Sequence, residues 1–102
     1  MAYERIDTII TEWALENGLH LRIRYQDVEV RSAEMRLGRR DGWQIWIDEP
    51  DKDGLIGVHV WDFKIAKKGG RRRDFLVSSI DLREYLDSAL AMAKAWTNER
   101  GA

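Results

Sequence analysis

The stretch GWQIWID, residues 42–48, holds two tryptophans at an odd spacing within an alternating pattern. Successive side chains of a β-strand point to opposite faces of the sheet. Trp43, Ile45 and Ile47 therefore share one face, and Gln44, Trp46 and Asp48 share the other. A chain built this way must supply a cover for the first face, and it leaves an indole on the second.

The cover comes from the two ends of the chain. In residues 3–17, Ile6, Ile9, Ile10, Trp13, Ala14 and Asn17 recur at i, i+3, i+4, i+7, i+8 and i+11, the pattern of a one-sided helix. Asn17-Gly18 then supplies a left-handed stop. At the far end Asp81 is placed to cap a second helix, with Glu84 as its capping-box partner and Ile80 stapling onto Tyr85. Leu82, Leu86, Ala89, Ala93 and Trp96 form the apolar stripe of that helix, and its alanines favour close packing on a sheet.

Between the helices the period is two. Leu19, Leu21, Ile23 and Tyr25 are expected on the buried side of a first strand, opposite His20, Arg22, Arg24 and Gln26. A second strand runs from about Val28 to Leu37. Its apolar set slips by one residue, which either a bulge near Arg31–Ala33 or a change of buried face explains. Three glycine-bearing turns, GRRDG (38–42), EPDKDG (49–54) and KKGG (67–70), separate strands at 43–48, 55–66 and roughly 72–78. In the fourth strand Ile56, Val58 and Val60 are assigned to the core, although Trp61, Phe63 and Ile65 also alternate and leave its phase open. The expected fold is a single α+β domain over residues 1–102. It is a two-layer sandwich, an antiparallel meander of four or five strands with the N- and C-terminal helices packed on one face.

Composition narrows the function. The 102 residues suffice for one core, and net charge is −1 from 17 basic and 18 acidic residues. That balance argues against a general nucleic-acid or membrane binder. Cysteine is absent, which removes disulfides, thiolate metal sites and thiol nucleophiles. With no apolar leader and no apolar run near 18 residues, a soluble cytoplasmic protein is expected.

Catalytic patterns are missing. His20 and His59 have no metal-ligand spacing, and Ser78-Ser79 read as the approach to a helix cap. Gly54, Gly57, Gly69 and Gly70 read as ordinary turn or strand glycines, with no phosphate-binding string among them. The acidic loop Asp48, Glu49, Asp51 and Asp53 lacks the glycine and glutamate positions of a calcium loop and reads as a solvated turn. Neither enzymatic activity, a cofactor nor a metal is expected.

Two surfaces remain. On the sheet face away from the helices, alternation gathers Arg22, Arg24, Arg31, Trp46, His59, Trp61 and Phe63. Aromatics with arginine are what protein interfaces favour, and the same mix stacks unpaired bases. Alternatively, a loop or a helix covers these aromatics as core. At one end of the meander the turns bring together Arg36, Arg39, Arg40, Lys67, Lys68, Arg71, Arg72 and Arg73, with an acidic pole at the other end. Such an end holds phosphate or an acidic partner, or is simply a solvated hairpin tip.

The strings DGWQIWID, GVHVWDF and DLREYLDSALAMAKAW, after a short leading helix, resemble small bacterial α+β domains. Some of these are similar to the immunity proteins that accompany polymorphic or contact-dependent toxins. The resemblance covers most of the chain in pattern. It implies a non-catalytic protein whose surface plugs a toxin active site, and it transfers no individual residue. Nuclease immunity proteins are commonly acidic, so the balanced charge here points away from a nuclease. The expected partner is thus another protein or a second copy of this chain. A nucleic acid bound by the basic end and sheet aromatics is one alternative, and a small ligand held by a homodimer is another. No membrane contact is expected.

Overall fold

The computed structural model describes residues 3–38, 41–62 and 71–101, with 36–38, 41 and 99–101 described by backbone alone. The elements in chain order are α1 (Asp7–Glu16), β1 (Leu21–Tyr25), β2 (Val28–Gly38), β3 (Asp41–Ile47), β4 (Leu55–Asp62), β5 (Arg72–Ser78) and α2 (Leu82–Gly101). The five strands form one antiparallel sheet in the order β1-β2-β3-β4-β5, a meander between two helices. The expected α+β arrangement is the one observed.

Helix α1 ends where Gly18 turns left-handed, at φ 64°. Leu19 N–H bonds to Ala14 C=O at 2.8 Å and Gly18 N–H to Leu15 C=O at 3.2 Å, the paired reversed bonds of a Schellman stop. Asn17 Nδ2 donates at 2.8 Å to the carbonyl of Trp13, which also accepts the Asn17 backbone N–H at 3.2 Å. These bonds let the chain leave the helix and enter β1 within four residues. The β1–β2 turn is tighter still, with Gln26 at φ 57° supplying the left-handed residue a two-residue hairpin needs.

Both helices lie over one sheet face. Ile6, Ile10 and Trp13 of the N-terminal segment join Leu82, Leu86, Ala89 and Ala93 of α2 in one cluster with Trp43, Ile45, Ile47, Ile56, Val58 and Val60. Trp43, Ile45 and Ile47 are each exposed by 1% or less, as are Ile56, Val58 and Val60. The register explains this, because Ile45 faces Val60 and Ile47 faces Val58 across the β3–β4 ladder. Cross-strand partners share a face, and alternation along each strand adds Trp43 and Ile56 to these two pairs, so the six side chains make one continuous apolar floor. The phase of β4 is thereby fixed with Trp61 on the opposite side. Small alanines on α2 bring its backbone close to that floor.

Several expectations change. Ile80 is 91% exposed and does not staple the helix start. Tyr85 packs instead edge-on against Phe75, ring centroids 5.3 Å apart. On β1, Ile23 is 58% and Tyr25 48% exposed, although the alternation placed them in the core. The cause is a register shift between Arg22 and Arg24 at the edge of the sheet. Val28 is likewise exposed, so the slip in the β2 pattern is a change in which face its apolar residues occupy.

Arg31 is a further correction. It pairs across the sheet with Ile47 and points to the helix side, where only 7% of it is exposed. Its Nε donates to Asp7 Oδ1 at 2.7 Å, and its Nη2 donates to both Asp7 Oδ2 and Glu29 Oε1. The guanidinium also lies 4.4 Å from the centroid of Tyr3. Tyr3 in turn donates its hydroxyl to Ile47 C=O at 2.8 Å. Burial, with the nearby charge of Asp48, pushes the Tyr3 phenol up to about 12. A buried cation needs paired carboxylates, and Asp7 provides one from the first turn of α1. Arg31 thus fastens α1 to β2 and is no part of the open face. Among the described residues, no helix is long and apolar enough to cross a membrane.

Trp43 is the largest side chain in the floor between sheet and helices. Replacing Trp43 with Ala is expected to lower stability by about 3–5 kcal/mol in urea unfolding, because the cavity left behind cannot collapse. A loss below about 1 kcal/mol contradicts this packing.

Candidate functional site

The face away from the helices is organised by the same register. One cross-strand row runs Arg22, Ser32, Trp46, His59 and Asp74, and the next runs Glu34, Gln44, Trp61 and Arg72. Sequence alternation thus correctly gathered Arg22, Trp46, His59 and Trp61 on this face. Arg24 lies outside the cluster, opposite Glu29 and beyond the register shift. Beyond that shift it is Tyr25 that reaches Trp46, edge to face at 6.0 Å between ring centroids. Phe63 lies outside the described residues.

Polar groups on this face hold one another in place. Trp46 donates its indole N–H to Gln44 Oε1 at 3.0 Å, Gln44 donates to Glu34 Oε2 at 3.0 Å, and Arg22 reaches Glu34 Oε1 at 3.3 Å. A second chain centres on His59. Its Nδ1 lies 2.6 Å from Asp74 Oδ1 and its Nε2 2.7 Å from Asp48 Oδ2. Arg72 Nε donates to the same Asp74 oxygen at 3.0 Å, and its guanidinium lies 5.5 Å from the Trp61 ring centroid. Trp46, Asp48, His59, Trp61 and Arg72 line a shallow depression of about 220 Å³.

Burial alone would lower the basicity of His59, but its hydrogen bonds to Asp48 and Asp74, and their charges, raise its pKa above the ordinary 6.5. Two carboxylates demand two ring donors, which only the imidazolium has. Asp74 is correspondingly held below the usual carboxylate range by the hydrogen bonds from His59 and Arg72. With both ring nitrogens occupied, His59 has neither a free acceptor for general-base work nor a free ligand position. Among the described residues no group of His, Asp and Glu converges to hold a metal ion.

Gly57 makes this arrangement possible. A Cβ on Gly57 would overlap Asp48 Oδ2 and lie 3.0 Å from His59 Nε2. Glycine here is where a carboxylate crosses the strand to reach the imidazole, rather than an ordinary strand glycine. A glycine inside an alternating strand was the signal for this approach. Asp74 and Glu34, also missed, depend on registers that residue types alone do not fix.

The basic end is less free than its composition implies. Arg71 bonds to Trp96 C=O at 3.1 Å and lies 3.4 Å from the buried carboxylate of Asp62. Its guanidinium stands 5.3 Å from the Trp96 ring centroid, which ties the start of β5 to α2. Arg72 belongs to the open face, and Arg73 packs on Phe75 at 5.4 Å. Three consecutive arginines thus go to three different places. Arg36 is placed by its backbone opposite Gly42, near the same end. Arg39, Arg40, Lys67 and Lys68 lie outside the described residues. In the acidic turn, Asp51 Oδ1 accepts from the N–H groups of Asp53 and Leu55, so that carboxylate shapes the loop.

Because its folded pKa is raised, His59 contributes stability that is fully present below 6.5 and is lost as pH climbs through the raised value. Urea midpoints measured across that window are expected to fall in the wild type more than in His59→Gln; parallel curves contradict the clamp. Substituting Gly57 with Ala is expected to push Asp48 away and return the His59 pKa toward 6.5 in an NMR titration. An unchanged titration would show that Asp48 is not the partner.

No family model, curated protein or solved structure matches this chain, so its function has to be read from the geometry of the open face.

Proposed function

We propose that this protein is a non-catalytic, cytoplasmic interaction domain that docks another protein on its open sheet face. The observation that carries the reading is the placement of Tyr25, Trp46 and Trp61 on the face that neither helix covers. Core packing already has Trp13 and Trp43. The indoles of Trp46 and Trp61 are held partly exposed by Gln44 and Arg72, and pre-set aromatic surface lowers the ordering cost of association. A role akin to that of the toxin-immunity proteins fits a domain with a broad docking face whose central histidine has both ring nitrogens engaged.

Charge supports a protein over a nucleic acid. On the open face Arg22 is bonded to Glu34, and Arg72 to Asp74. Phosphate backbones are bound by cations that are not already neutralised. At the basic end Arg71 is engaged with Asp62 and Trp96, which removes it from the set available to phosphate.

Replacing Trp46 and Trp61 with Ala is expected to cost about 1 kcal/mol of stability each, well short of a core truncation. A protein cross-linked to the wild-type chain is expected to be lost with the doubly substituted, folded variant. Losses matching a buried tryptophan, or a partner retained by the double variant, would overturn the reading.

A further inference from the structure

We infer that the depression between Trp46 and Trp61 is a binding site for one pyranose ring, a neutral saccharide unit. This rests on reading the open face as a binding surface, and it adds the chemical class of ligand that the centre of that face takes.

Size is the first constraint. At about 220 Å³ and open to solvent, the depression falls below the roughly 300–1,000 Å³ of sites that enclose drug-sized ligands. It suits a single ring, presented alone or at the end of a longer chain. Charge is the second. Arg72 and the protonated His59 stand against Asp48 and Asp74, two cations with two carboxylates. A charged ligand would gain from one pair what it loses to the other, so the site favours a neutral one.

Hydrogen bonding is the third constraint. His59 uses both ring nitrogens internally, and Arg72 spends its Nε on Asp74. Among the described residues, Asp48 Oδ1 and the two amino groups of Arg72 have no hydrogen-bond partner. The rim of the depression therefore offers an acceptor and a pair of donors, with indole surface from Trp46 and Trp61 alongside. A pyranose carries an apolar C–H face and ring-edge hydroxyls that both donate and accept. It meets the indoles with the first, and Asp48 and Arg72 with the second. A lone amide or hydroxyl side chain of a partner has no such apolar face and would use only part of this set. The groups are also held before any ligand arrives, by the His59 clamp and the Gln44 bond to Trp46. Such preorganisation limits the ordering cost of binding.

The test is a titration of the ¹⁵N-labelled chain with the methyl glycosides of glucose, galactose and mannose, with acetamide as the amide probe. At least one glycoside is expected to shift the indole N–H signals of Trp46 and Trp61 while leaving Trp13 and Trp43 unmoved. The dissociation constant should be on the order of millimolar for one ring. Arg72→Ala, at an exposed position that should leave folding intact, is expected to weaken binding about tenfold or more. A disaccharide that binds at least as tightly as the glycoside identifies a glycan end as the source, and one that is excluded identifies a free sugar. The inference is overturned if no glycoside moves these indoles at tens of millimolar. It is also overturned if Arg72→Ala binds as well as wild type, or if acetamide alone produces the shifts. Any of these results, with Trp46→Ala and Trp61→Ala still folded and stable, removes the saccharide and leaves the docking face standing.

Discussion

The floor formed by Trp43, Ile45 and Ile47 against Ile56, Val58 and Val60 is the constraint on which the rest of this structure depends. Six side chains in register on two central strands are sealed by Leu86, Ala89 and Ala93 from α2, and by Ile10 and Trp13 from α1. A slip of one residue between β3 and β4 would turn all three of one strand's apolar groups to water. That penalty fixes the register, and the register fixes the opposite face. Trp46 beside His59, and Gln44 beside Trp61, follow from what is buried beneath them.

Among the described residues the open face is therefore organised without being covered. Its charges are paired internally, His59 with two carboxylates, Arg72 through its Nε with Asp74, and Arg22 with Glu34. Exposed ion pairs contribute little to folding. Their effect here is to hold indoles and donor groups in fixed positions. Gly57 belongs to the same design, since a side chain there would occupy the space in which Asp48 meets His59. Arg31 provides the contrast: the same residue type, turned to the helix side, fastens α1 to β2 through Asp7.

The central strands were legible in the sequence because a buried face imposes strict alternation. GWQIWID and IGVHV told both faces apart correctly. The edge was not legible. A register shift on β1 turned Tyr25 outward to Trp46 and left Arg24 outside the cluster, and nothing in residue type marks such a shift. Arg31 was misplaced for a related reason, since alternation counted from the apolar Val28 and Val30 assigned it to the wrong side. The charged pattern RRR at 71–73 reads as one basic patch, yet alternation and the buried Asp62 divide it among three environments. Charge counts describe composition, whereas partners depend on registers fixed by the core.

The chain divides these four tryptophans, with Trp13 and Trp43 sealed between sheet and helices and Trp46 and Trp61 left partly exposed on the other face. Hydroxyl-radical footprinting of the dilute monomer, read tryptophan by tryptophan in the mass spectrometer, tests that division directly. Rapid oxidation of Trp46 and Trp61 with protection of Trp13 and Trp43 is the predicted result. Equal protection of Trp46, Trp61 and Trp43 in the monomer would contradict it, because a face already covered is not a face held open for a partner.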